Sequence, residues 1–530
     1  MKNFLAAVSA CATSAAAIIR GMLVGAVLLA AGCGAPPSPP DELRVAMSTF
    51  SDGTFLPWNG STGRKLYLDT IYEYLVYLDP ETLAPQPGLA ERWQMSPDGR
   101  EVTLWLRRGV AFHGGWGEMT ADDVAYTFNR MMDRTSIAGM ASTLRHIVDR
   151  VEAIDTYTVH IVLKEPDIEF VSGYLSNGVV VPIQSRRYIE SVGDAVANEH
   201  PIGTGPFRLV GYRDDTFIEV EAINEGAGNW RVKPDFKRIR FLSVPEEFTR
   251  AAMLKAGEVD LAPINYDSID ALAQAGVRTI FVKGNWAPVV RFGGLVQGRE
   301  DPSVPWKDKR VRQALNYAVD KQAIVDYILH GEALITPGDF PVREWETLQP
   351  YPYDPAKARA LLREAGYPNG FSMTLRTFTT APGAEMPIMA EAVASYWRAI
   401  GVRTTIVPTT WTALRSAWST GNASNVAFTH RGLAFAGALQ GLIASSHSSN
   451  LFATFANDKT DAMISAIGAE TDPARRAELI RQLGQYEADE AASVFIGFAN
   501  EPYGVSPRVG HWPALSQQGT NVEMTTRATP

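Results

Sequence analysis

The stretch AERWQMSPDGREVTLWLRRGVAFHGGWGEMTADDVAYTFNRM, residues 90–131, carries the information that decides the fold. Val102, Leu104 and Leu106 alternate with polar or amphipathic neighbours, the period of two that marks a half-buried strand over 101–107. A Gly-rich turn follows, and Thr120 then opens a helix. Its hydroxyl can accept from the free amides of the first turn while Asp123, three residues on, reciprocates. Val124, Phe128 and Met131 recur at helical spacing and so share one face. Strand, glycine turn and capped helix in close succession predict a layered α/β architecture.

The same grammar extends in both directions. Residues 43–47 form a short apolar run suited to a buried strand, and 151–165 and 207–223 read as hairpins about Asp155-Thr156 and Asp214-Asp215. Val311, Ala314, Leu315 and Ala318 make an apolar stripe, and Asp320 can cap a second helix that runs to Gly331. Asp354-Pro355 supplies an N-cap with proline at the first helical position; Ala358, Leu361, Leu362 and Ala365 give the stripe and Gly366 the stop. A helix around 390–400 precedes the β-branched run 404–407, and Asp472-Pro473 starts a long helix ending near Asp489, before the apolar run 494–498. The pattern predicts two α/β lobes and an added β-rich piece near residues 80–200. Trp286, Trp411 and Phe435 stand beside polar residues where loops are expected, a composition that suits a cleft with apolar walls and a few polar anchors.

At 530 residues the chain is long enough for more than one lobe. A net charge of −9 without any long Lys/Arg run argues against nucleic acid as a partner. The two cysteines, Cys11 and Cys33, both precede residue 34, so the body has neither a disulfide scaffold nor a thiol nucleophile. Residues 21–32, GMLVGAVLLAAG, are uncharged and span about 18 Å as a helix, short of a bilayer core of about 30 Å but right for the apolar region of a signal peptide. The run LLAAGCG resembles the bacterial lipoprotein box, in which the Cys is lipidated and becomes the first mature residue. Ala30 stands where that box usually has Leu. The expected order is a signal peptide over 1–32, then lipidated Cys33 and a Pro-rich tether to residue 41.

The sequence has no His-Glu-x-x-His helix, Gly-x-Ser-x-Gly elbow, Walker loop or Gly-x-Gly-x-x-Gly. The nearest histidines, His146 and His160, are too far apart for a one-helix metal or relay motif. A Ser-His-Asp triad assembled in space has no support in the residues and is not excluded by them.

Residues 90–131 resemble the signature of the extracellular solute-binding proteins of family 5, the oligopeptide, dipeptide and nickel-binding group of ABC importers. The resemblance lies in Trp93 before the Ser96-Pro-Asp98-Gly99 turn, Leu106-Arg107 leading to Gly109-Val110, Phe112-His113, and Thr120-Ala121 with Asp123-Val124. PIGTGPF (201–207), MLKAGEVDLA (253–262), VRQALNYAVDKQAIV (311–325) and YDPAKARALLREAGY (353–367) are similar to later family elements, in family order. Most of these residues read as structural: Gly203, Gly205 and Gly257 for backbone conformation, Asp98 and Asp320 for turn and cap, His113 for packing or hydrogen bonding.

The resemblance implies a two-lobe periplasmic-binding-protein fold of mixed sheets flanked by helices. Lobe I would comprise 42–75, 201–285 and 486–528, with a β-rich domain at 76–200 inserted in it; lobe II would comprise 286–485. It implies a monomeric periplasmic receptor, held to a membrane by its lipid, that closes on a peptide-like or other small polar solute and delivers it to ABC permease subunits, with no catalysis and no cofactor. Candidate solute contacts are Phe50, Trp286, Arg291, Trp411, His430, Arg431 and Phe435. Peptide-binding relatives carry a carboxylate for the peptide amine near 430–440, yet THRGLAFAGALQGL (429–442) has none, which turns the expectation toward an anionic or neutral group at His430 and Arg431. His447 is the weak candidate for a nickel-type chelate. A secreted hydrolase on the same scaffold, and a sensor or chaperone uncoupled from transport, remain as alternatives.

Overall fold

In the computed structural model the alternation at 101–107 becomes the strand Glu101–Leu106, with Val102, Leu104 and Leu106 buried. Described are residues 39–529 apart from 51–53, 61–64, 81, 83, 139, 179–180, 224–227, 380–382, 420–423, 436 and 515–520, so Cys11, Cys33 and the expected signal segment lie outside the described residues. Thr120 and Asp123 form the reciprocal capping box of the helix Ala121–Met132, which buries Val124, Phe128 and Met131. That helix covers an antiparallel four-stranded sheet in the order Ala90–Met95, Glu101–Leu106, Thr158–Leu163, Val148–Asp155. This is the added domain. It is pinned to the first lobe by His113, whose Nε2 donates to the Gly205 carbonyl at 2.9 Å, leaving Nδ1 to accept from Gly203 N at 3.4 Å. The two glycines are needed for close approach rather than for conformation, because a Cβ would lie 2.0 Å and 2.6 Å from the Ile71 carbonyl oxygen. Gly257 does end its helix in the left-handed region, at φ 69°.

Among the described residues, twelve further strands form one sheet that runs through both lobes, and two small two-stranded sheets, Val76–Leu78 with Pro85–Pro87 and Leu295–Val296 with Phe455–Ala456, stand apart from it. Its outer halves carry the lobes: Glu42–Met47, Arg238–Ser243, Phe217–Ala222 and Phe207–Arg213 on one side, Ala427–Leu433, Ser372–Thr377 and Arg403–Pro408 on the other. Between them lie two long strands, Arg278–Phe292 and Phe498–Val505. The first changes partner along its length. Residues 278–282 pair with 501–505, the register breaks between Val282 and Trp286, and 286–292 pair with Ala427–Leu433. Gly284, at φ 52°, supplies the left-handed turn of that break, and its N–H donates to Asn500 Oδ1 at 2.9 Å.

Ser493–Phe495 pairs with 289–291, and the helix Pro473–Asp489 packs Ile480 and Leu483 into the core of the second lobe with Trp345 and Phe495. The apolar run 494–498 is divided between the strands Ser493–Phe495 and Phe498–Val505 at Gly497, φ 156°.

Candidate functional site

Where the two crossing strands meet, a narrow crevice with a cavity volume of about 20 Å³ lies between the lobes. Residues 263–266 and Pro502 line it from the first lobe, Trp286 and residues 383–385 from the second, and Glu501 sits on the crossing strand itself. Trp286 belongs to a strand, not to a loop as expected, and is only 1% exposed. Its ring packs over Gly383, where a Cβ would meet it at 3.3 Å. The Tyr266 hydroxyl donates to the Asn500 carbonyl and Asn285 Nδ2 donates to Glu501 Oε2 at 2.5 Å, so both groups are held by the crossing segments. Arg250, also on the wall, spends its guanidinium on the carbonyls of Val244, Pro245 and Pro263 and is structural.

The electrostatics of the crevice follow from burial. Desolvation pushes the carboxyl groups of Glu385 and Glu501 up to about 7 each, and it pulls the Arg431 guanidinium down to about 10 against the attraction of Glu501. Two carboxylates that change charge near neutrality thus face aromatic walls. The stretch 429–442 carries no carboxylate, whereas the crevice has two from other parts of the chain, Glu385 and Glu501. An acidic residue within the largely buried strand FANEPYGV is the available signal for Glu501. Nothing local marked Glu385.

His430 and Arg431 point away from each other. In the antiparallel register Val289 faces His430 and Pro288 faces Arg431, so the two side chains leave opposite faces of the sheet. Arg431 shares its face with Trp286. The His430 ring lies 5.7 Å from Trp411 and 5.5 Å from Trp418, and desolvation, with Arg291 and Arg431 adding to it, holds its pKa well below the usual imidazole value. It is neutral and available for hydrogen bonding rather than for pairing with an anion.

Arg291 is committed within the protein. It is 4% exposed, its Nε is 3.1 Å from Asp339 Oδ2, and its guanidinium lies 5.4 Å from the Trp418 ring centroid. Phe50 packs edge-on against Tyr67 at 6.1 Å in the first-lobe core, at 2% exposure. Trp411 opens the helix Trp411–Ser419 and is partly exposed beside Phe378; Phe435 is half-buried against Phe340. His447 Nδ1 accepts from the Ser449 N–H at 3.2 Å, and among the described residues no group of three or more His, Cys, Asp or Glu could hold a metal ion.

The model of the bacterial extracellular solute-binding proteins, family 5 (middle), matches residues 84–452. The chain belongs to that family. Among curated relatives, it is 30% identical over 484 residues to heme-binding protein A of Haemophilus influenzae, covering 83% of each chain. It is 31% identical over 379 residues to the dipeptide-binding protein of Escherichia coli, covering 64% of this chain and 66% of that one. Of solved structures, the periplasmic binding protein DppA of Helicobacter pylori in complex with the peptide STSA superposes with a TM-score of 0.79 at 22% identity, over 92% and 98% of the two chains. NikZ of Campylobacter jejuni in complex with Ni(L-His) superposes with a TM-score of 0.78 at 19% identity, over 92% and 100%. A family-5 solute-binding protein is a receptor and not an enzyme, and the fold is the mixed α/β one shared with these structures.

Proposed function

We propose that this family-5 protein is the capturing subunit of an ABC importer, closing its two lobes on a peptide-like or other small polar solute and delivering it to a membrane permease. The observation that carries the reading is the crevice at the crossing strands, walled by aromatic rings from both lobes and furnished with Glu385 and Glu501. A solute touching both lobes binds the closed form better than the open one and shifts the population toward it, which is the signal a permease reads. An ammonium group brought against Glu385 and Glu501 favours their ionised forms and offsets their desolvation, so amine-bearing peptides belong among the expected solutes. The relatives named for dipeptide and heme mark two different solute classes that the scaffold accommodates.

The test is a thermal-shift panel of dipeptides, tripeptides, glutathione, heme and nickel–histidine, together with uptake by a strain lacking the gene. A melting-temperature rise with one class, and loss of uptake of that class, is expected; no shift with any and unchanged uptake would remove the reading. The anchor is part of the same proposal, with Cys33 as the lipidated residue behind the run LLAAG. Cys33→Ser is expected to release the protein from the membrane fraction, and unchanged membrane association would refute lipidation.

A further inference from the structure

The helix Ala438–Ser446 follows the strand Ala427–Leu433 and the segment with Phe435, and it begins at Gly437, which has no side chain to cap it. Its cap arrives from another domain. Leu439 N–H donates to Glu169 Oε2 at 3.2 Å, and Glu169 belongs to the added domain, just before the helix Phe170–Tyr174. The other oxygen of the same carboxylate pairs with Arg476 Nη1, on the helix Pro473–Asp489 of the second lobe. Arg476 is 4% exposed, and its Nε also donates to the Ile467 carbonyl at 3.1 Å. Asp167 Oδ1 accepts the Glu169 N–H at 2.9 Å and fixes the approach of the loop. Glycine at 437 makes the approach possible, since a Cβ there would stand 2.8 Å from Glu169 Oε2.

The added domain is joined to the second lobe through the first lobe, so these contacts lie across the seam that separates when the lobes part. Opening would strip the first-turn amides of their acceptor and leave Arg476 without its counter-charge. We propose that Glu169 is the positioning residue that latches the receptor shut, supplying in trans the cap of the helix behind the cleft-facing segment. This rests on the solute-receptor reading above, and it links the order of that segment to closure.

The test uses solute-free protein with Cys11 and Cys33 both replaced by Ser, which leaves the chain free of native thiols. Spin labels at Ile154→Cys in the added domain and Leu451→Cys in the second lobe, both exposed positions, report the separation across the seam. Hydrogen exchange reports the amides of 438–440. A cap of ordinary strength corresponds to about a fivefold to tenfold change in the closed-to-open ratio. Glu169→Ala is expected to enlarge the long-distance population and speed exchange at 438–440 by about that factor. Glu169→Gln, which keeps an acceptor oxygen without the charge, falls between it and the parent. Gly437→Ala acts in the same direction with Glu169 intact, by displacing the carboxylate. Unchanged distances and unchanged exchange in Glu169→Gln and Gly437→Ala, each with the parent's circular dichroism, would overturn the latch. Because no solute is present, that failure is distinct from a failure of solute binding, which the thermal-shift panel on the parent protein detects.

Discussion

Glu487→Gln is a quantitative test of the electrostatics behind the cleft-facing strand. Glu487 is 3% exposed on the helix Pro473–Asp489. Burial, followed by repulsion from Asp339, raises its carboxyl from 4.5 to about 8, against a hydrogen bond from Ser446 and the attraction of Arg291. In the unfolded chain the group loses its proton near 4.5, whereas the native state keeps it until about 8. Between those values the native state holds more protons, so this group's contribution to stability falls as pH rises. At about 1.4 kcal/mol per pH unit, the contribution declines by roughly 3 kcal/mol between pH 5 and pH 7 and levels off above about 8. Glutamine resembles the protonated acid and does not titrate. Urea unfolding at pH 5, 6, 7 and 8 should therefore show the stability difference between Glu487→Gln and the parent growing in favour of the variant by roughly 3 kcal/mol from pH 5 to pH 7. A difference constant across that range would refute the assignment of a retained proton to Glu487.

Arg291→Met removes the partner of Asp339 and should cost about 3–5 kcal/mol in the same unfolding assay, the penalty of an uncompensated buried charge; a loss below about 1 kcal/mol would contradict its internal role. Thr120→Ala deletes one half of the capping box of Ala121–Met132 and should cost about 1 kcal/mol, seen as a lowered urea midpoint at unchanged slope. For an amine-bearing peptide, affinity should strengthen as pH rises through about 7, because the bound ammonium favours ionised Glu385 and Glu501; Glu385→Gln should flatten that profile in calorimetric titrations.

Much of this architecture is legible in the residues themselves. Thr120 with Asp123, Asp320, Asp354 and Asp472 each cap the helix expected of them, since a cap is a contact between near neighbours in sequence. The strand Arg278–Phe292 was harder. Its Trp286 follows Gly284 and Asn285, which mimic a loop, and a strand buried on both faces has no alternation to betray it. The crevice carboxylates were illegible for a different reason. Glu385 and Glu501 lie far from each other and from Arg431 in sequence, and only the meeting of the crossing strands brings them together. The adjacent His430 and Arg431 illustrate the converse, because neighbours in a strand point to opposite faces of the sheet.

The central claim, that a small solute is captured between the lobes, is tested most directly by native mass spectrometry of the protein isolated from its own compartment without unfolding. The account predicts a discrete small-molecule adduct at about one per chain, which denaturation releases and which rebinds to the refolded protein with a rise in melting temperature. A bare mass in every preparation, with no adduct after incubation with peptides, glutathione or heme, would contradict it.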